Sequence, residues 1–300
     1  MSDKTEQTRK RRWGDRKGAR YIRDVSGLST IILHIMPNRT ESEVYLSDKI
    51  DATELVKFIE RKNAEHDNYK TTVFHCFVLA VARMVRERPK MNRYVQGRRI
   101  YERDEISLTF MAKRRFADDA EESFMMVVPK DTDTIDEISH QIYGDVREVR
   151  KSEHSTGGID AVVDSFAKIP RILLMLIVKI IRWLDFWGLV PEAIKDGDSN
   201  FSTVLLSNLG SIQGPAVYHH LNNYGTNSIM ITVGTLHKEE MVMPDGTKEI
   251  RDVLDFGATI DERIGDGFYF VRSLKLVKYI FAHPELLDRP FGEPSGFDFK

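Results

Sequence analysis

The chain has 300 residues, 41% of them hydrophobic and 30% charged, enough to bury a sizeable core as one large domain or two small ones. A net charge of −2 gives no global attraction to nucleic acid or to acidic membranes. The single cysteine, Cys76, excludes an intramolecular disulfide framework and a cysteine-rich metal site and fits a reducing cytosol; the N-terminus has no apolar signal-peptide core.

Residues 1–26 form a basic arm in which Lys4, Arg9, Lys10, Arg11, Arg12, Arg16, Lys17 and Arg20 outweigh Asp3, Glu6 and Asp15. It reads as a solvated, partly disordered segment, with Trp13 marking a part that docks. Glu43 to Lys49 alternates as a strand does, with Val44 and Leu46 on one side. Asp51 then caps a helix carrying Leu55, Phe58 and Ile59 at helical spacing. A more apolar helix is predicted over 71–87 and ends at Pro89. Strands follow at 98–101, 106–114 and 123–128, then a helix over 135–151. The polar stretch SEHSTGG (152–158) reads as a flexible separator between two halves.

The second half opens on IPRILLMLIVKIIRWLDFWGLVP (169–191), an apolar helix with a narrow stripe of Lys179, Arg182 and Asp185. Charges in mid-segment argue against a membrane span. Two readings stand: an interfacial helix making peripheral membrane contact, or a helix buried in a subunit contact. Burial is preferred because the flanks lack a lysine and arginine cluster. Strands are predicted at 202–207, 228–236 and 253–260, with a hairpin turn at Pro244-Asp245-Gly246. The last strand delivers DERIGDG (261–267), followed by a helix over 268–282 that ends before Pro284. The segment AVYHHLNNYGTN (216–227) sets His219 and His220 in a polar patch, where packing is favoured over a role as base. His75 and Cys76 are neighbours on an apolar helix and do not face one another, so they are assigned to the core. No His, Cys or carboxylate cluster has metal-ligand spacing, and no metal is expected.

DERIGDG reads as an H-x-x-x-D-G acyl-transfer motif with Glu262 in the histidine position. Together with VYLSDKIDATEL (44–55), MNRYVQGRRIYERDEISLTF (91–110) and SNLGSI (207–212), it resembles the chloramphenicol acetyltransferase-like fold. That fold is shared with the catalytic domain of the dihydrolipoyl acyltransferases of 2-oxoacid dehydrogenase complexes, and Arg263 after the base position is closer to the dihydrolipoyl branch. The resemblance implies an α/β mixed sheet flanked by helices over 27–290, with 169–191 inserted and 291–300 a tail. It also implies a homotrimer with coenzyme A or acyl-CoA as substrate and a small-molecule or lipoyl-type acceptor, without nucleic acid. By position, Glu262 stands for the base, Ser207 for the oxyanion donor, and Asp266 and Gly267 for the turn that holds the motif. A carboxylate is a weaker base than imidazole for a thiol or hydroxyl at neutral pH, although an apolar tunnel narrows the gap. Catalysis through Glu262 and a non-catalytic scaffold on the same fold therefore both stand.

Overall fold

The computed structural model describes residues 11–65, 68–113, 122–151, 169–195 and 198–299. The 152–158 separator and the first ten residues of the basic arm lie outside the described residues. Among the described residues nine strands form two sheets. The small one orders β1 (Ala19–Tyr21), β4 (Arg99–Arg103) and β3 (Arg93–Gln96), all antiparallel. The large one runs β2 (Glu43–Asp51), β9 (Lys248–Asp261), β8 (Ile229–Val242), β7 (Val204–Asn208), β5 (Leu108–Lys113) and β6 (Glu122–Val127). Here β7 is parallel to both β5 and β8, while the remaining pairings are antiparallel. This is the mixed sheet flanked by helices that the sequence implies.

Side chains alternate across each strand, so one face of the large sheet collects Ile229, Ile231, Val233, Leu254, Phe256, Ala258 and Ile260, all buried. On that face lies α3 (Val73–Glu87), the most deeply buried helix. Its Phe77 ring meets Phe256 of β9 and Phe281 of α7 (Gly267–Ala282), each at a centroid distance of 6.1 Å. Each such side chain taken from water adds about 1.5–3 kcal/mol. Thr72 caps α3 by accepting from His75 N at 3.3 Å. Burial holds the His75 imidazole down at about 4 and pushes the Cys76 thiol up. Both are core groups, as expected.

Several elements match the sequence reading closely. The helix α4 (Ile135–Lys151) has the predicted bounds, and α2 (Thr53–Glu65) begins where the Asp51 carboxylate accepts from Thr53 N at 3.0 Å. The short strands β1 and β3 and the helix α1 (Gly27–Ile35) were not expected. The arm is tied down by Asp15, whose carboxylate accepts from Arg12 N at 2.8 Å and from Tyr21 N at 3.0 Å, and by β1. Trp13, expected to dock, is instead 84% exposed. The 291–300 tail is fastened to α3: Phe291 is buried, and Ser295 donates from N and Oγ to Glu87 at 2.7 and 2.8 Å.

The apolar helix of the second half is α5 (Arg171–Trp187), followed by one short turn, α6 (Glu192–Lys195). Within this chain the preference for burial does not hold. Asp185 is the only α5 residue that is buried, whereas Ile172, Met175, Leu176, Trp183 and Trp187 are at least half exposed. Asp185 is what fixes the helix: its carboxylate accepts from Gln96 Nε2 at 2.9 Å and from Gly225 N at 3.2 Å. Among the described residues no helix is long and apolar enough to cross a membrane.

Candidate active site

At the end of β9 the chain turns through Glu262–Ile264 into α7, and a buried ion pair braces that turn. Arg263 donates through Nη2 to Asp261 Oδ2 at 2.7 Å and through Nε to Oδ1 at 2.8 Å, with both side chains at most 2% exposed. Asp261 Oδ1 also accepts from Arg263 N and Ser42 Oγ, and Arg263 Nη1 reaches Met36 O at 2.9 Å. Every charged oxygen and most guanidinium protons therefore have a partner, the condition under which a buried pair can persist. The sequence reading used Arg263 only as a marker and missed Asp261. The one signal in the sequence is an acid and an arginine two positions apart at a strand end.

Glu262 sits between these two clamped residues and is itself unclamped. Its backbone N donates to Ser42 O at 2.8 Å, fixing the turn against the segment before β2. Its half-buried carboxylate makes no hydrogen bond or ion pair among the described residues. Asp266 is exposed and caps α7, accepting from Tyr269 N at 2.8 Å, and Gly267 is the first residue of that helix. Asp266 caps a helix, and the buried anchoring of the turn belongs to Asp261 and Arg263.

Ser207 lies on the face of the large sheet opposite the hydrophobic core. Cross-strand register sets Ser207 beside Thr232 of β8, Gly257 of β9 and Ser47 of β2. The segment that follows β7 passes over this row. Val217 N donates to Thr232 Oγ1 at 3.1 Å, and Val217 O would stand 2.7 Å from a Cβ at Gly257, so no larger residue fits there. Ser207 is half-buried, and its hydroxyl makes no hydrogen bond among the described residues.

Structure does not bring Ser207 and Glu262 together within one chain. Glu262 is five positions beyond Gly257 on β9, about 16 Å along the strand, and two strands away from Ser207. One lies where β7 ends and the other near Ser228, where β8 begins; Asp261 N donates to Ser228 O at 2.9 Å. A site using both must take them from two copies of the chain.

His219 and His220 fall on the surface beside β2, their rings 4.8 Å apart, lining with Tyr45 and Tyr218 a cavity of about 370 Å³. Each Nδ1 faces a neighbouring backbone carbonyl, and neither ring contacts Glu262 or Ser207 among the contacts of the described residues. A second cavity, about 230 Å³, adjoins the Glu262 turn and is lined by Arg39, Arg98, Arg182 and Arg263 together with Asp185. Arg39 is buried and spends its Nη protons on the carbonyls of Asn222, Val95 and Gly225, while its Nε has no partner. Burial lowers the Arg39 pKa. No group of three or more His, Cys, Asp or Glu able to hold a metal occurs among the described residues.

This mixed sheet, with a turn feeding a helix at one end and a serine at the end of β7, has the fold of the dihydrolipoamide acetyltransferases on which it superposes. Residues 24–142 match the family described as 2-oxoacid dehydrogenases acyltransferase (catalytic domain). A probable dihydrolipoamide acetyltransferase from Listeria monocytogenes superposes with a TM-score of 0.58 at 17% identity, covering 92% of this chain and 97% of the other. The dihydrolipoamide acetyltransferase of Azotobacter vinelandii gives 0.60 at 17% identity, covering 89% and 93%. The truncated catalytic core of the 2-oxoacid dehydrogenase multienzyme complex from Thermoplasma acidophilum gives 0.53 at 17% identity, covering 88% and 99%. No curated relative matches the chain in sequence.

Proposed function

We propose that the protein is a coenzyme A-dependent acyltransferase whose site forms between neighbouring subunits of a homotrimer, with Glu262 from one copy and Ser207 from the next. One observation carries this reading: a carboxylate without a partner among the described residues on a turn braced from both sides, and a hydroxyl likewise without one at the opposite end of the same sheet. The family match and the fold support it. In the Azotobacter enzyme a serine, a histidine and an asparagine were studied for their roles in catalysis. The latter two are four positions apart, the spacing of Glu262 and Asp266 here.

The chemistry follows from the groups. Glu262 accepts the proton of a thiol or hydroxyl acceptor, which attacks the thioester carbonyl of acyl-CoA. Ser207 Oγ donates to the oxyanion of the tetrahedral adduct. Collapse of the adduct breaks the C–S bond, and the departing CoA thiolate takes back the proton held by Glu262. Arg98 and Arg182, exposed on the cavity beside the turn, are suited to the phosphates of CoA, and a dithiol of the lipoyl type is the acceptor that fits the family match.

A second reading rests on the carboxylate itself. An anion beside a developing oxyanion is repelled by it, and the same fold with such a residue can serve as a scaffold that binds CoA without turnover. Thiol release from acetyl-CoA in the presence of dihydrolipoamide, with calorimetry of acetyl-CoA binding, separates the two. Turnover supports the enzyme; binding with no thiol release supports the scaffold. Glu262→His is expected to raise turnover about tenfold or more, since imidazole is the better matched base at neutral pH. An unchanged or lower rate would mean that the site is shaped for a carboxylate or has lost its substrate channel.

A further inference from the structure

We propose that α5 and the basic segment docked against its C-terminal end form a docking surface for an anionic phospholipid bilayer. At 100° per residue, Leu174, Ile177, Ile181, Leu184 and Asp185 fall on one side of α5, and these are the buried or half-buried positions that face the protein. Turned about 130° from that side is a stripe about 80° wide made of Ile172, Leu176, Ile180, Trp183 and Trp187, all exposed. Lys179 flanks the stripe and is exposed as well. A helix of this kind, about 25 Å long with an apolar outer stripe, two tryptophans and a flanking lysine, suits the headgroup boundary of a bilayer.

The objection raised by the sequence was that no cationic cluster flanks this helix. Folding supplies one. Arg16 donates to the carbonyls of Trp187 and Phe186, satisfying the end of the helix and placing a positive charge at its negative pole. The approach is close enough that a Cβ at Gly188 would lie 2.5 Å from Arg16 Nε. The chain around Arg16 carries Arg11, Arg12 and Arg23, and Arg99 stands 5.9 Å from the Trp13 ring. These four arginines are exposed and have no ion pair among the described residues. Lys17 and Arg20 are offset by Glu192 and Glu102, and the exposed acids nearby are Asp24, Asp104 and Glu105. The surface beside the apolar stripe is therefore cationic, with the exposed Trp13 set within it. Excess arginine and lysine at the rim distinguishes a bilayer from a second copy of this chain, which would bring its own positive charge to the same place.

Flotation of the full-length protein with phosphatidylcholine vesicles, with and without phosphatidylglycerol, tests this at low and high salt. Binding is expected to the phosphatidylglycerol vesicles, about tenfold weaker without the anionic lipid, and falling with salt. Leu176→Asp and, separately, Arg11→Glu with Arg23→Glu should each lower it by a further tenfold or so, with sedimentation mass unchanged. No flotation by the wild-type protein overturns the proposal. So does a fall in sedimentation mass for Leu176→Asp without an effect on flotation, which would assign α5 to a contact between copies. Neither outcome bears on acyl transfer, which is assayed separately.

Discussion

Replacing Glu262 by Gln is expected to lower kcat/KM for thiol release from acetyl-CoA by about 10²- to 10⁴-fold, the range lost with a general base. Gln keeps the size and the hydrogen-bonding oxygen of the side chain and removes its ability to accept the proton. Stability should be unaffected: the carboxylate makes no bond to any described residue, and the turn is held by the backbone contact to Ser42 and by its two neighbours. The combination of lost rate and unchanged melting temperature is the signature sought. A rate within about twofold of wild type would remove Glu262 from the chemistry, because an interaction made in the transition state cannot be deleted at no cost.

The second large effect is structural. Asp261→Asn is expected to lower the free energy of unfolding by about 3–5 kcal/mol, read from urea titration. Arg263 is 2% exposed on its side chain, and Asp261 is the only carboxylate bonded to it among the described residues. With Asn in place, one position that accepted from Arg263 becomes a donor, leaving a guanidinium buried without its counter-charge. Removing both charges with Asp261→Asn and Arg263→Met should cost less than Asp261→Asn alone, since no uncompensated charge then remains. A loss below about 1 kcal/mol would show that the turn is held without the pair. Because Glu262 lies between the two, the single variant should also lose activity, whereas Glu262→Gln loses activity alone.

How far the sequence carried is clear from particular residues. Elements with a strong period and a defined end were readable: α4 from its apolar spacing, α3 from its run of core residues stopped by Pro89, β9 from the strand feeding DERIGDG. The strands β1 and β3 were not, because ARY and RYVQ are too short to show alternation and stand among arginines. The full length of β8 and β9 was hidden as well. Their outer ends are held by exposed pairs such as Lys238 with Asp252 and Lys248 with Glu240, so no apolar pattern marks them. The sequence proposes Glu262, Ser207, Asp266 and Gly267 as site residues, but the separation of Ser207 from Glu262 depends on cross-strand register, which no local pattern encodes. The Asp261–Arg263 pair was passed over because charged residues in a turn are ordinarily solvated. For α5, the lack of a lysine and arginine cluster in its sequence flanks led to an expectation of burial, whereas only its inner side is covered by this chain.

The most direct measurement is complementation between two inactive variants. Co-expressed Glu262→Gln and Ser207→Ala chains form mixed trimers in which some junctions combine an intact Glu262 with an intact Ser207 from the adjacent subunit. Random mixing around a three-fold ring makes about one junction in four of this kind, so activity should return to about a quarter of wild type. No recovery above the two separate variants would contradict a site shared between subunits.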